Sequence, residues 1–239
     1  MAKIREHSAY AANRLLALLS ILFNKAIEFG LWDKTNPVIG IKKFREQSRD
    51  RFLQSDELPR FFQALAEEPN EDIRDYILLS LLTGARKSNV LAMKWEQINL
   101  PRKEWRIPET KNGTPQTITL PKEALKMLKK RRNRLQNHYY VFPGNGNKGH
   151  LIDPKRGWQR ILAHAGIQDL RIHDLRRTLG SWQAKTGASL AIIGKSLNHK
   201  SPMTTAIYAR LDLDPVGESV EKATKAMLKA AKINLEEDK

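Results

Sequence analysis

The chain has 239 residues, 41% of them apolar and 28% charged, a balance that supports a packed core and excludes a disordered polar segment. It contains no Cys, which excludes a disulfide framework and any thiolate metal site. Lys and Arg outnumber Asp and Glu by 42 to 26, for a net charge of +16 and an isoelectric point near 10.0, and a surplus that large points to a polyanionic partner.

Taken in chain order, the first element is a helix predicted over Ser8 to Gly30. Leu15, Leu18, Leu19, Leu22, Ala26 and Ile27 recur at three- and four-residue spacing, and Gly30 supplies a stop. Its most apolar stretch, Leu15 to Ile27, carries Asn24 and Lys25 and is too short for a bilayer span. No signal-peptide core precedes it, so a cytoplasmic protein without a membrane partner is expected. Asn36-Pro37 breaks the chain, and the polar, basic Lys42 to Arg51 reads as a linker between a first unit ending near residue 48 and a second. Ser55-Asp56-Glu57 reads as the N-terminal cap of the next helix.

Asp72 to Leu82 reads as a buried helix ending at Thr83-Gly84. Short β-type runs follow at Trp95 to Ile98, Glu104 to Ile107 and Gln116 to Leu120, separated by turn-rich segments. Helix returns at Lys122 to Leu135, and Phe142 to Gly149 is a Gly/Asn loop. From Lys155 the chain reads helical almost to its end, with breaks at Gly166 to Arg171, Thr186-Gly187 and Lys200 to Pro202. The expected fold is mainly α with one small antiparallel β-sheet. The charge sits in its middle: from Pro101 to Gln136 eleven Lys and Arg face three Glu, whereas from Lys200 onward the balance is seven against seven.

Several residues in this frame carry chemistry. In His173-Asp174-Leu175-Arg176-Arg177-Thr178 the His and Arg176 are three apart and share a helix face, pairing a proton carrier with a planar fork suited to phosphate. The plain alternative is a solvated helix face. Arg86 follows the Gly84 break, where it either points into a cleft or answers a helix dipole. Lys111 stands at a hairpin tip, as a solvated charge or as an acid reaching into a bound ligand. His199 and Tyr208 follow in Leu197-Asn198-His199 and Ile207-Tyr208-Ala209-Arg210. Singly, each of these signals is weak.

In combination they resemble the tyrosine recombinase (phage integrase) family. TGAR with Arg86, the hairpin Lys111, HDLRRT and then LNHKSPMTTAIYAR occur in that family's order over roughly residues 50 to 215. The preceding ANRLLALLSILFNKAIEFGLWDKTNPV resembles the last part of the family's helical core-binding domain. The resemblance implies cleavage and rejoining of double-stranded DNA through a phosphotyrosine, with no metal and no cofactor. It makes Tyr208 the nucleophile and Arg86 and Arg176 the clamp on the phosphate. His173 becomes a proton carrier, His199 a hydrogen-bond partner of that phosphate, and Lys111 the acid for the departing 5′ oxygen. A homotetramer on DNA and accessory DNA-bending or directionality factors are implied partners.

The chain departs from the family pattern at Asn89, where an acid is usual, and at Asn198, where Gly is usual. If position 198 needs a left-handed backbone, Asn is the next best residue. A type IB topoisomerase shares the chemistry, and a non-catalytic DNA-binding relic would share the fold. The segment before residue 49 amounts to about half of the family's core-binding domain. A clamp with one jaw missing is expected to bind weakly and to lose affinity steeply with salt. The tail from Glu218 to Leu235 reads as an amphipathic helix, packed on its own domain or docked on a neighbour.

Overall fold

The computed structural model describes residues 8–46, 49–110, 113–210 and 214–230. It divides into two units, Met1–Arg49 and Asp50–Lys239, one residue beyond the boundary expected from composition. In the first unit α1 spans Ala9–Glu28. Ser8 caps it by accepting from the Ala11 amide, and Gly30 stops it with φ near 69°. The stretch expected to be a linker is partly tied down. Asn13, buried in α1, donates to the Phe44 carbonyl at 2.9 Å and to Glu46 Oε1 at 2.7 Å, and accepts from the Phe44 amide. A polar pattern does not reveal such a strap, because its partner lies 31 residues away.

The second unit begins with α2 (Leu58–Ala66), α3 (Glu71–Thr83) and the short α4 (Lys87–Leu91). The expected cap at Ser55 does not form. Instead Glu57 accepts from the Gln54 amide at 2.9 Å and pairs with Arg51, which holds its carboxyl below the usual range against the opposing effect of burial. A three-stranded antiparallel sheet follows, in the order β1 (Ile98–Asn99), β2 (Glu104–Ile107), β3 (Gln116–Thr119). Trp105 faces Ile118 and Ile107 faces Gln116, so one face is buried while Arg106 and Thr117 look outward. Trp95–Gln97, expected as strand, forms a 3₁₀ turn that feeds β1.

The remaining helices are α5 (Lys122–Arg134), α6 (Lys155–Ala165), α7 (Asp174–Lys185), α8 (Leu190–Ser196), α9 (Pro202–Thr205), a 3₁₀ turn over Ala206–Arg210, and α10 (Asp214–Ala230). The main core gathers Leu53, Phe61, Tyr76, Ile77, Leu79, Trp105, Leu128 and Phe142, all fully buried. Arg131, also buried, ties α5 to α3 by donating to Asp75 at 2.9 Å, Asp72 at 2.7 Å and the Val141 carbonyl, with its plane over Phe142. A second, smaller cluster of Ile193, Leu197 and Tyr208, with Leu179 and Ile207 against it, joins α7, α8 and the 3₁₀ turn. The sheet is tethered to that cluster by Gln116, which donates to the Ser196 carbonyl at 3.2 Å.

Candidate active site

Two chain reversals and one helix build the site. The first reversal ends α3, where Gly84 takes a left-handed conformation (φ 59°) and its amide closes on the Ser80 carbonyl. A Cβ at Gly84 would stand 2.7 Å from a Leu197 methyl and 2.9 Å from a Leu179 methyl, and the left-handed backbone is what favours glycine there. Arg86 then leaves α3 in extended backbone at the start of α4.

The second reversal ends α8. The Asn198 amide donates to the Lys195 carbonyl at 3.1 Å and the His199 amide to the Gly194 carbonyl at 2.9 Å, the paired bonds of a Schellman motif. That motif puts Asn198 in the left-handed region, φ 51°. Asn is the residue after Gly that tolerates it best, so the sequence departure costs little. The result is a fixed backbone for His199, whose Nδ1 also meets buried Thr205 Oγ1 at 3.0 Å.

Arg176, on α7, connects the two reversals. Its guanidinium is buried; Nη1 donates to the Gly84 carbonyl at 2.7 Å and Nη2 to the Leu197 carbonyl. Burial, then the neighbouring Arg86 charge, lower its pKa to about 10, with Tyr208 opposing. Arg86 reaches the same place from the other side, its Nη2 3.4 Å from the Asn198 carbonyl. Its Nη1 is buried and makes no hydrogen bond, nor does the Asn89 side-chain nitrogen. Among the described residues no hydrogen bond joins Arg86 to Asn89, and the acceptor that Arg86 reaches is the Asn198 carbonyl. Two cations side by side with an unanswered buried donor suit this place to an anion.

His173 is the residue that caps α7, exposed at the rim. Desolvation, then Arg176, Arg177 and Arg86, hold it below the usual imidazole range, while Asp174 opposes them. His199 is lowered to about 4 by burial and then by Arg176, Arg86 and His173, so it is neutral at physiological pH. Its ring lies parallel to that of Tyr208, centroids 6.2 Å apart at 4°. Tyr208 is 3% exposed, and burial raises its pKa while Arg176 and Arg177 counter that rise.

The structure thus brings Arg86, His173, Arg176, His199 and Tyr208 together. Lys111 lies outside the described residues. Thr205 and Gly180 were not singled out by sequence. A Cβ at Gly180 would stand 2.5 Å from Tyr208 Cζ, so this glycine is the floor under the phenol. A glycine in mid-helix was the available signal, since it costs helix stability unless something packs against it.

A profile of the Phage integrase family matches residues 51–214. The chain belongs to that family. An integrase of Salmonella phage P22 is 28% identical over 85% of this chain and 54% of its own length. A shufflon-specific DNA recombinase of Escherichia coli is 35% identical over 67% of this chain and 40% of that protein. The chain thus spans about half the length of the curated relatives it matches. Among solved structures, a lambda integrase dimer bound to a COC′ core site superimposes with a TM-score of 0.69 at 23% identity, covering 85% of this chain and 77% of that one. A lambda integrase tetramer bound to a Holliday junction gives 0.65 at 22% identity, covering 84% and 62%. These likenesses place the fold among integrase-family domains.

The low pKa of His199 has a consequence for stability. A folded-state pKa below the unfolded value near 6.5 means that the unfolded chain binds the proton first. The associated stability is complete above about pH 6.5 and is lost as pH falls toward about 4, and His173 shifts in the same direction. Melting temperature measured from pH 7 to pH 4 is therefore expected to fall more steeply for the native chain than for His199→Gln. Parallel curves would show that His199 is not desolvated as described.

Proposed function

We propose that the chain is the catalytic part of a site-specific DNA recombinase, an enzyme that cuts and rejoins duplex DNA through a 3′-phosphotyrosine to integrate or excise a phage or mobile element. The observation that carries this reading is the convergence of Arg86 and Arg176 beside a phenol stacked on a neutral imidazole. Arg176, locked by two loop carbonyls, and Arg86, with an unanswered donor, are set to hold the non-bridging oxygens of a phosphodiester. Electrostatic clamping of this kind is the chief protein contribution to phosphoryl transfer.

In the proposed step Tyr208 Oη forms a bond to phosphorus as the bond to the 5′ oxygen breaks. The phenol proton leaves toward His173, and Lys111 gives a proton to the 5′ oxygen. His199, neutral and anchored on Thr205, donates a hydrogen bond to the phosphate. The ester keeps the energy of the broken bond, so the reverse attack by a 5′ hydroxyl rejoins the strand with atoms balanced. Assembly into a homotetramer on DNA, action of accessory factors, a cytoplasmic setting and assignment of residues 1–48 to a core-binding domain belong to the same proposal.

Two measurements test it. A pool of nicked duplexes of randomised sequence, in which cleavage lets a short fragment diffuse away, is incubated with the chain, and SDS-resistant protein–DNA adducts are captured and sequenced. Adducts enriched for one sequence are expected; none at any protein concentration would overturn the reading. Fluorescence anisotropy with the recovered duplex is expected to show affinity dropping by about a hundredfold or more from 50 to 200 mM salt. A flat salt response would remove the electrostatic part of the argument.

A further inference from the structure

We infer that Thr205 is a positioning residue that acts through His199: its hydroxyl donates to Nδ1 and so keeps the ring proton on Nε2, the nitrogen left to meet a phosphate. The inference deepens the reading of His199 as a hydrogen-bond partner of the scissile phosphate, and it rests on that reading. Thr205 closes α9 and is 2% exposed. Its Oγ1 lies 3.0 Å from His199 Nδ1, and among the described residues that nitrogen is the one hydrogen-bond partner the hydroxyl has. Other threonines in or at the end of helices spend the hydroxyl on their own helix. Thr83 donates to the Leu79 carbonyl, Thr178 to that of Asp174 and Thr186 to that of Trp182, each four residues back. Thr205 is turned to the imidazole instead, and Gly194 gives it room, since a Cβ there would stand 3.1 Å from Oγ1.

A single contact between a hydroxyl and an imidazole nitrogen can run in two directions. If Nδ1 carried the proton and donated, the hydroxyl would accept and its own proton would be buried without an acceptor. If the hydroxyl donates, that proton is answered, and only a spare lone pair is left over, which costs less than an orphaned donor. Burial of Thr205 therefore selects the second direction. The backbone of His199 is already held by its amide bond to the Gly194 carbonyl, so the hydroxyl fixes what remains free, the ring and its tautomer. The consequence reaches the site. A phosphodiester oxygen is an acceptor, and a lone pair on Nε2 would repel it, whereas Nε2–H joins the guanidiniums of Arg86 and Arg176 as a donor. Those two charges act on the His199 ring and favour a lone pair turned toward them. The Thr205 hydroxyl holds the proton in place against them.

The test uses the full chain labelled with the heavy nitrogen isotope in histidine, the His199 signals being assigned with His199→Gln. At pH 7 without DNA, Nδ1 is expected to resonate as an unprotonated acceptor and Nε2 as a protonated nitrogen. A protonated Nδ1 would overturn the inference. In Thr205→Val, which keeps the shape and loses the hydroxyl, the two tautomers are expected to mix. Adduct formation is then measured on the recovered nicked duplex with a bridging 5′ sulfur, so that departure needs no acid and attack is observed directly. Thr205→Val should slow it about tenfold, roughly the worth of one hydrogen bond. Thr205→Ser, which keeps the hydroxyl and drops the methyl, should show the single tautomer and most of the native rate. A native rate in Thr205→Val, or a rate in Thr205→Ser as low as in Thr205→Val, would make the residue a packing group only and overturn the inference. Should Thr205→Val fail to fold, the native nitrogen spectrum and Thr205→Ser still decide. Absence of adducts from the native chain would instead sink the underlying reading, a separate measurement from the tautomer.

Discussion

Tyr208→Phe is expected to yield a chain that folds and binds DNA yet forms no covalent adduct with any duplex. The phenyl ring keeps the contacts that the tyrosine ring makes with Gly180, His199 and the cluster of Ile193 and Leu197. Only the hydroxyl is lost, so stability should change by no more than about 1 kcal/mol. The positive groups proposed to meet phosphate are untouched, and affinity measured by anisotropy should stay within about threefold of native, well under the 1.4 kcal/mol that a tenfold change represents. The covalent product disappears because an ester needs the oxygen. Adducts of normal yield in this variant would show that another group attacks and would end the present reading. Loss of adducts together with a collapsed melting curve would instead assign Tyr208 to the core.

The second large effect concerns Lys111. Removing a general acid costs roughly 10² to 10⁴ in rate when the leaving group is a poor one. Lys111→Ala is therefore expected to slow cleavage of an ordinary phosphodiester by that factor. With sulfur as the bridging 5′ atom the leaving group is a thiol, with a pKa near 8.5 on the cysteine scale, and it departs without help. That substrate should restore Lys111→Ala nearly to the native rate. It should leave Tyr208→Phe inactive and Arg176→Ala impaired, because in the proposed step those residues serve attack and charge stabilisation. Rescue of His173→Ala or His199→Ala, with Lys111→Ala still slow, would move the acid to a histidine.

Local signals in the chain carried much of this. The left-handed stops at Gly84 and Asn198 were readable because only a few residue types tolerate that backbone. The alternation in β2 and β3 and the periodicity of α3 and α5 marked buried faces directly. The order of Arg86, His173, Arg176, His199 and Tyr208 marked the family because such polar residues have no packing reason to recur together. The 3₁₀ turn at Trp95–Gln97 escaped, since an aromatic β-type run of that length looks the same either way. The strap from Asn13 to Phe44 escaped for want of any local sign.

What the residues by themselves determined was which groups are available: two guanidiniums, two imidazoles and a phenol, on a basic chain with turns in fixed places. Their states were decided only by the tertiary structure. Arg176 binds a carbonyl 92 residues before it and another 21 residues after it, and so ties the two reversals together. The depressed pKa of His199 depends on Arg86, from the opposite end of the domain sequence, and on burial that no local pattern expresses. Tyr208 lies over Gly180 because α7 and the last 3₁₀ turn share a small apolar cluster. Hydrogen bonds and Coulomb interactions act over a few ångströms of space, without regard to distance along the chain, so residue types fix the chemistry on offer while packing sets the charge, exposure and aim of each group.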